Sequence, residues 1–136
     1  MVRLGDIAEI RKGRAKHEDP DGDYLQVTAA AIDYNGRVNR LNTKKAFASE
    51  DDPTILRPND VLLTVDGTTD NVALIKGDGL LCGSTCILIR PRKSGDAYRI
   101  FSHLRSYTGQ EALKSLRKGD YVPHLNIKDI RNIDIP

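Results

Sequence analysis

Near residue 96 the hydrophobic pattern of this chain changes its period, and that switch limits the fold more than any other feature. Before it, apolar residues come in short β-branched or alternating runs. Tyr24-Leu25-Gln26-Val27-Thr28, Val61-Leu62-Leu63-Thr64-Val65, Val72 to Ile75 and Ser84 to Arg90 are each predicted as strands. Turn signals separate them: Asn35-Gly36, Arg57-Pro58-Asn59-Asp60, the polar loop Asp66 to Asn71, and Asp78-Gly79. After it, Ala97, Ile100, Phe101, Leu104 and Tyr107 follow the i, i+3, i+4, i+7 spacing of one helix face. Gly109 stops or interrupts that helix. Thr108-Gly109-Gln110-Glu111 has the form of a capping box opening a second helix, with Leu113 and Leu116 on its apolar face and Lys118-Gly119 at its end. Asn126 caps one turn ending near Ile130, and Ile133-Asp134-Ile135 reads as a last strand. At the start, Leu4, Ile7, Ala8 and Ile10 form a short helical or extended opening that docks on the core, and Phe47 to Ile55 holds a helical turn. Strands followed by a local helical pair predict an α+β architecture.

The 136 residues make one domain, 1–136, with enough chain to bury a real core. Hydrophobic residues at 39% and charged residues at 29% fit an ordinary globular composition. No apolar run approaches the roughly 20 residues of a bilayer span. The opening MVRLGDIAEI lacks the apolar core of a signal peptide, and two cysteines do not make a disulfide scaffold. The expected compartment is the cytoplasm. The net charge is only +2, but the cations are clustered. Arg11, Lys12, Arg14, Lys16 and His17 form one group, Arg37, Arg40, Lys44 and Lys45 a second, and Lys114, Arg117 and Lys118 a third. Acidic residues collect at Asp19 to Asp23 and at Glu50 to Asp52, a segregation suited to one positive face.

The constellations that carry catalysis are missing. Cys82-Gly83-Ser84-Thr85-Cys86 puts two cysteines four apart on one strand face, but His17, His103 and His124 sit at no ligand spacing from them. These are read as two reduced, buried cysteines. Asp19, Asp21 and Asp23 imitate a calcium loop, yet Pro20 and Tyr24 break its pattern and Ala30 stands where the bidentate Glu belongs. No acidic residue has Lys two positions on, as a metal-dependent nuclease would. Asp52-Pro53-Thr54-Ile55 shares only two letters with a methyltransferase D/N-P-P-Y/F turn, and glycines 77, 79 and 83 do not make a cofactor loop. No catalytic residue, metal or cofactor is expected. What remains are polar loops. Thr68, Thr69 and Asn71 form one, and Asn can pair bidentately with adenine. Tyr121, His124 and Asn126, stiffened by Pro123, form another, with Asn126 better suited as a helix cap.

Taken in order, these pieces resemble the target-recognition domain of a type I restriction-modification specificity subunit. The pieces are Leu4-Gly5-Asp6-Ile7-Ala8-Glu9-Ile10 with its basic turn, Tyr24 to Ile32 leading into Tyr34-Asn35-Gly36-Arg37-Val38, and Leu56-Arg57-Pro58-Asn59-Asp60-Val61-Leu62-Leu63-Thr64. Asp66-Gly67 with Val72-Ala73-Leu74-Ile75 follows, then Gly119 and His124-Leu125-Asn126-Ile127 to Ile133-Asp134-Ile135-Pro136. The resemblance spans nearly the whole chain.

It implies a strongly twisted, partly barrel-like, mostly antiparallel sheet flanked by short helices. It also implies that the domain reads one half of a bipartite site in double-stranded DNA, while methyltransferase (modification) subunits and a restriction subunit supply the chemistry. On that basis Arg11, Lys12, Arg14, Lys16, Arg37, Arg40, Lys44 and Lys45 are candidates for phosphate contacts, and Thr68, Thr69, Asn71, Tyr121 and His124 for reading base edges. Two departures matter. Many relatives place Ser or Arg where this chain has Asp66-Gly67-Thr68-Thr69, so no target sequence transfers. In the family a long spacer helix and a second recognition domain normally follow the position of Pro136, which makes a fragment or a half-subunit the expectation. Two other readings stay open: the recognition domain of a fused restriction-methyltransferase, and an RNA- or protein-binding module. An aromatic content of 5% gives the RNA reading few stacking platforms.

Overall fold

The computed structural model describes residues 1–64, 71–117 and 125–136. In chain order its elements are β1 (Val2–Arg3), α1 (Leu4–Ile7), β2 (Ala8–Lys12), β3 (Tyr24–Val27), β4 (Lys44–Ala46), β5 (Val61–Thr64), β6 (Val72–Leu74), β7 (Leu80–Cys82), β8 (Cys86–Pro91), α2 (Ala97–Arg105), α3 (Tyr107–Leu116), α4 (Ile127–Ile130) and β9 (Asp134–Ile135). The strands form three sheets, ordered β2-β8-β5-β6, β4-β3-β7 and β1-β9. Among the described residues every strand pairing is antiparallel except β3 with β7.

The four-stranded sheet is the centre, and its sequence shows why. All four residues of β5 are buried, as in a strand covered on both faces. Alternation then divides the side chains. Val61, Leu63, Val72, Ile87 and Ile89 meet Ile100, Leu104 and Leu113 of the helical pair, together with Leu4, Leu125, Ile130 and Ile135. Leu62, Ala73, Cys86 and Leu88 point the other way, onto Val27, Ile32, Leu56, Leu80 and Cys82. A sheet sandwiched in this way depends on single side chains, and Leu62→Ala would cost about 2–5 kcal/mol.

One turn is fixed from outside its own segment. Asn59 adopts a positive φ of 75°, which Asn tolerates better than most residues. The neighbouring Asp60 is buried and accepts from Arg90 Nε and Nη2 of β8 at 2.9 and 2.8 Å and from the Arg57 amide at 2.8 Å. This paired carboxylate also raises the Arg90 pKa. The Asn-Asp pair ahead of β5 is therefore a clamp between a turn and the neighbouring strand.

Five local expectations are corrected. Phe47 to Ile55 contains no helix among its residues. It forms two i→i+3 turns, in which Asp52 Oδ1 accepts from both the amide and the hydroxyl of Thr54 and Pro53 brings no amide hydrogen. The second long helix is capped by Ser106, whose Oγ accepts from the Gly109 amide at 3.1 Å, and not by Thr108. Gly109 lies inside α3. A Cβ there would sit 2.0 Å from the His103 carbonyl, so the glycine allows α2 and α3 to meet closely. The break at Ser106 takes Tyr107 off the helical face, leaving it 81% exposed. Finally, Cys82 and Cys86 occupy different strands in different sheets. Both are buried free thiols, and burial raises Cys86 to about 12.

Asn126 caps α4 as expected, accepting from the Lys128 amide at 2.9 Å. The final strand pairs with β1, so the two ends of the chain lie side by side.

Candidate nucleic-acid interface

The basic candidates fall into two surroundings. The first is the edge strand β2 and the segment that follows it, which crosses towards β7: the Gly13 amide bonds Cys86 O and the Arg14 amide bonds Cys82 O. Here acidic residues fold back onto the cations. Arg11 pairs with Glu9 at 2.8 Å, and that bond holds the Glu9 carboxyl below its usual range. Lys16 pairs with the largely buried Asp52, and its backbone is tied to the Gln26 side chain. Burial pushes Asp52 up, but the Lys16 ammonium and the Thr54 donors outweigh it and hold this acid at about 2. Lys44 of β4 faces Glu18 at 3.8 Å, and the Lys45 carbonyl receives the Asp19 amide. The acidic turn at 18–23 thus lies against the basic cluster, so the two clusters do not merge into one uninterrupted positive face. Lys12 and Arg14 are exposed.

The second surrounding is a groove of about 630 Å³ between the 35–40 segment, the 74–77 segment and α2. Its lining includes Arg37, Arg40 and Lys76 with Val38, Leu74, Leu80, Tyr98 and Phe101, and no acidic residue is among the described residues that line it. Its walls are fixed. Gly36 has φ +81°, and a Cβ there would meet the Phe101 ring at 2.6 Å, so only glycine lets this turn lie on the aromatic side chain. Arg105 stacks over Phe101, 5.3 Å from the ring centroid, and donates to the carbonyls of Tyr34 and Asn35. Arg40 lies against Gly77 and donates to the Asp78 carbonyl at 2.9 Å. The guanidinium of Arg37 and the ammonium of Lys76 bond no described residue.

The 33–37 turn is shared with a smaller polar pocket of about 220 Å³, lined by Asp33, Tyr34, Asn71, Val72, Arg105 and Gln110. Asn71 enters here because its carbonyl receives the Thr64 amide at the end of the β5–β6 hairpin. One base-reading candidate, Asn71, therefore lines the pocket on one side of this turn, and two phosphate candidates, Arg37 and Arg40, line the groove on the other. Thr68, Thr69, Tyr121 and His124 lie outside the described residues, as does Lys118 of the third basic group. Lys76, Tyr98 and Arg105 escaped the sequence reading because each stands alone in sequence. The available signal was the exposed aromatic at Tyr98 beside the apolar helical stripe.

Across its whole length, residues 1–136, the sequence matches the family described as the type I restriction modification DNA specificity domain. The chain belongs to this family. A curated relative, the type I restriction enzyme MjaVIII specificity subunit of Methanocaldococcus jannaschii, is 26% identical over 142 residues, covering all of this chain and 31% of that protein. The fold is shared with the type I S subunit from M. genitalium, at TM-score 0.62 and 17% identity over 98% of this chain and 33% of the other. The HsdS subunit from Thermoanaerobacter tengcongensis gives 0.60 and 19% over 99% and 32%. A chain solved in work on complex assembly and conformational transition of the type I R-M system gives 0.70 and 21% over 96% and 35%. The specificity domain described here thus spans about a third of the length of each of these proteins.

Among the described residues of this specificity domain, no three His, Cys, Asp or Glu side chains gather as a metal site. No helix among them is long and apolar enough to cross a membrane.

Proposed function

We propose that this domain reads one half of a bipartite sequence in double-stranded DNA, as the target-recognition part of a type I specificity subunit. Methylation and cleavage then belong to partner modification and restriction subunits in the cytoplasm. The observation that carries the reading is a groove with Arg37, Arg40 and Lys76 and no acidic residue among the described residues that line it, separated by the 33–37 turn from the pocket that Asn71 lines. Cations that meet phosphates fix register, and an amide side chain across the turn from them carries the donor and acceptor that a base edge pairs with.

The test is a domain exchange. One recognition domain of a complete type I specificity subunit is replaced by residues 1–136, and methylated positions are mapped in cells carrying the hybrid. The expected result is a new bipartite site in which one half has changed while the other half and the spacer length stay as before. An unchanged methylation pattern from a folded, assembled hybrid overturns the reading.

A further inference from the structure

The groove holds more than its cations require. A track for phosphates alone needs no apolar wall, yet Val38, Leu74 and the 69%-exposed ring of Tyr98 line this one beside Arg37 and Lys76. Charge and apolar surface side by side match one chemical unit of DNA, the charged phosphate joined to its apolar deoxyribose. The nearest acid on the turn is already engaged, since Asp33 Oδ1 accepts the backbone amides of Asn35 and Arg37 at 2.9 and 3.0 Å. Three attachments hold the walls before any ligand arrives: Arg105 to the carbonyls of the turn, Phe101 beneath Gly36, and Arg40 to the Asp78 carbonyl. A site fixed in advance loses little entropy on binding.

We propose that this groove seats the sugar–phosphate backbone of the duplex, with Arg37 and Lys76 on phosphates and Tyr98 against the sugar. The assignment rests on the DNA reading above. It adds Lys76 and Tyr98 as contact residues and makes the groove, rather than the β2 edge, the main electrostatic contact. An acidic segment of a protein partner is the competing occupant.

The experiment measures duplex binding across a salt series, using the assembled hybrid specificity complex. If Arg37 and Lys76 each neutralise one phosphate, R37A/K76A flattens the slope of log K against log salt by about 1.8 and weakens binding roughly 60-fold at 0.1 M salt. The charge-conserving R37K/K76R variant keeps the slope, which separates charge loss from misfolding. Y98A lowers affinity for all sequences alike with the slope unchanged, and K44A stays near wild type because Glu18 already faces it. Wild-type binding with an unaltered slope in R37A/K76A overturns the groove assignment and leaves the DNA reading standing. So does failure of R37A/K76A to assemble with the modification subunits while the unassembled hybrid specificity chain binds duplex with the same slope as its unsubstituted counterpart, since that marks the groove as a protein contact. No duplex binding by the wild-type complex overturns both.

Discussion

Two surfaces of this specificity domain carry clustered cations, and they differ in how many of those cations face an acid. On the first, which runs from the β2 edge to β4, Glu9, Asp52 and Glu18 face Arg11, Lys16 and Lys44, while Lys12 and Arg14 are exposed and pair with no described acid. In the groove, Arg40 is held by a neutral carbonyl, while Arg37 and Lys76 bond no described residue. A cation already facing a carboxylate has little left to gain from a phosphate, and displacing its partner costs energy. One facing open groove keeps its full attraction. Counting Lys and Arg along the sequence puts the two surfaces on an equal footing, because the sequence shows the cations and hides their partners; on the proposal above the groove is the stronger phosphate site. The β2 cations also guard an exposed strand edge, a recurrent use of charge in antiparallel sheets.

The largest effect expected from this contrast is on stability. Asp52 serves Lys16 and both donors of Thr54, so Asp52→Ala strands a half-buried ammonium and two further donors. We expect a loss of about 3 kcal/mol in urea unfolding, the scale of breaking a buried pair. With its acid removed Lys16 can add at most one phosphate contact, so the salt slope of DNA binding by the folded fraction should hold or steepen by up to about 0.9. If D52A binding is far less salt-dependent than wild type, Lys16 is a phosphate contact and the contrast fails. The pair also sets an acid limit. The folded Asp52 titrates at about 2, below its ordinary 3.8. Its stabilisation is therefore complete above about pH 4 and lost as pH falls from there towards 2. Asp52→Asn should be less stable at neutral pH and lose less between pH 4 and 2, as read by circular dichroism melts.

The next effect concerns selectivity. Asn71 shares its pocket with the turn that walls the groove. Asn71→Ala should relax choice at one base pair by roughly 1–3 kcal/mol while leaving the salt slope intact. Methylation mapping of the hybrid enzyme checks this, and a uniform loss over all sites would move Asn71 from reading bases to holding structure.

How much of this was legible depended on whether partners lie near one another in sequence. The strand at Val61–Thr64, the cap at Asn126 and the turn at Asn35-Gly36 are local, and each was readable from propensity and spacing. The cap at Ser106 was missed because Thr108-Gly109-Gln110-Glu111 offers the same motif two residues on, and only the contact of Gly109 with His103 decides between them. The groove was out of reach for the same reason at longer range. Arg37, Lys76 and Tyr98 meet only after the β5–β6 hairpin and α2 have packed together. The acidic turn at 18–23 misled in the opposite direction, since its separation in sequence from Lys44 and Lys45 vanishes once β3 and β4 pair.

The smallest effect is the sharpest test of the comparison, because it adds a binding surface instead of removing one. Lys44 and Glu18 are both well exposed, at 64% and 61%, and 3.8 Å apart. Pairs of this kind contribute about 0–1 kcal/mol, so Glu18→Gln should shift stability by less than about 0.5 kcal/mol. Yet it removes the carboxylate from a wall that also holds His17 and Lys45. If facing acids are what silence this edge, the E18Q variant should bind duplex DNA with a salt slope steeper by up to about 0.9, one additional phosphate. Subsequent K44A in the E18Q background should remove that gain, whereas K44A alone changes almost nothing. A slope unmoved by E18Q would mean that the β2 edge points away from the DNA altogether. Position rather than neutralisation would then separate the two surfaces, and R37A/K76A would remain the only way to flatten the curve.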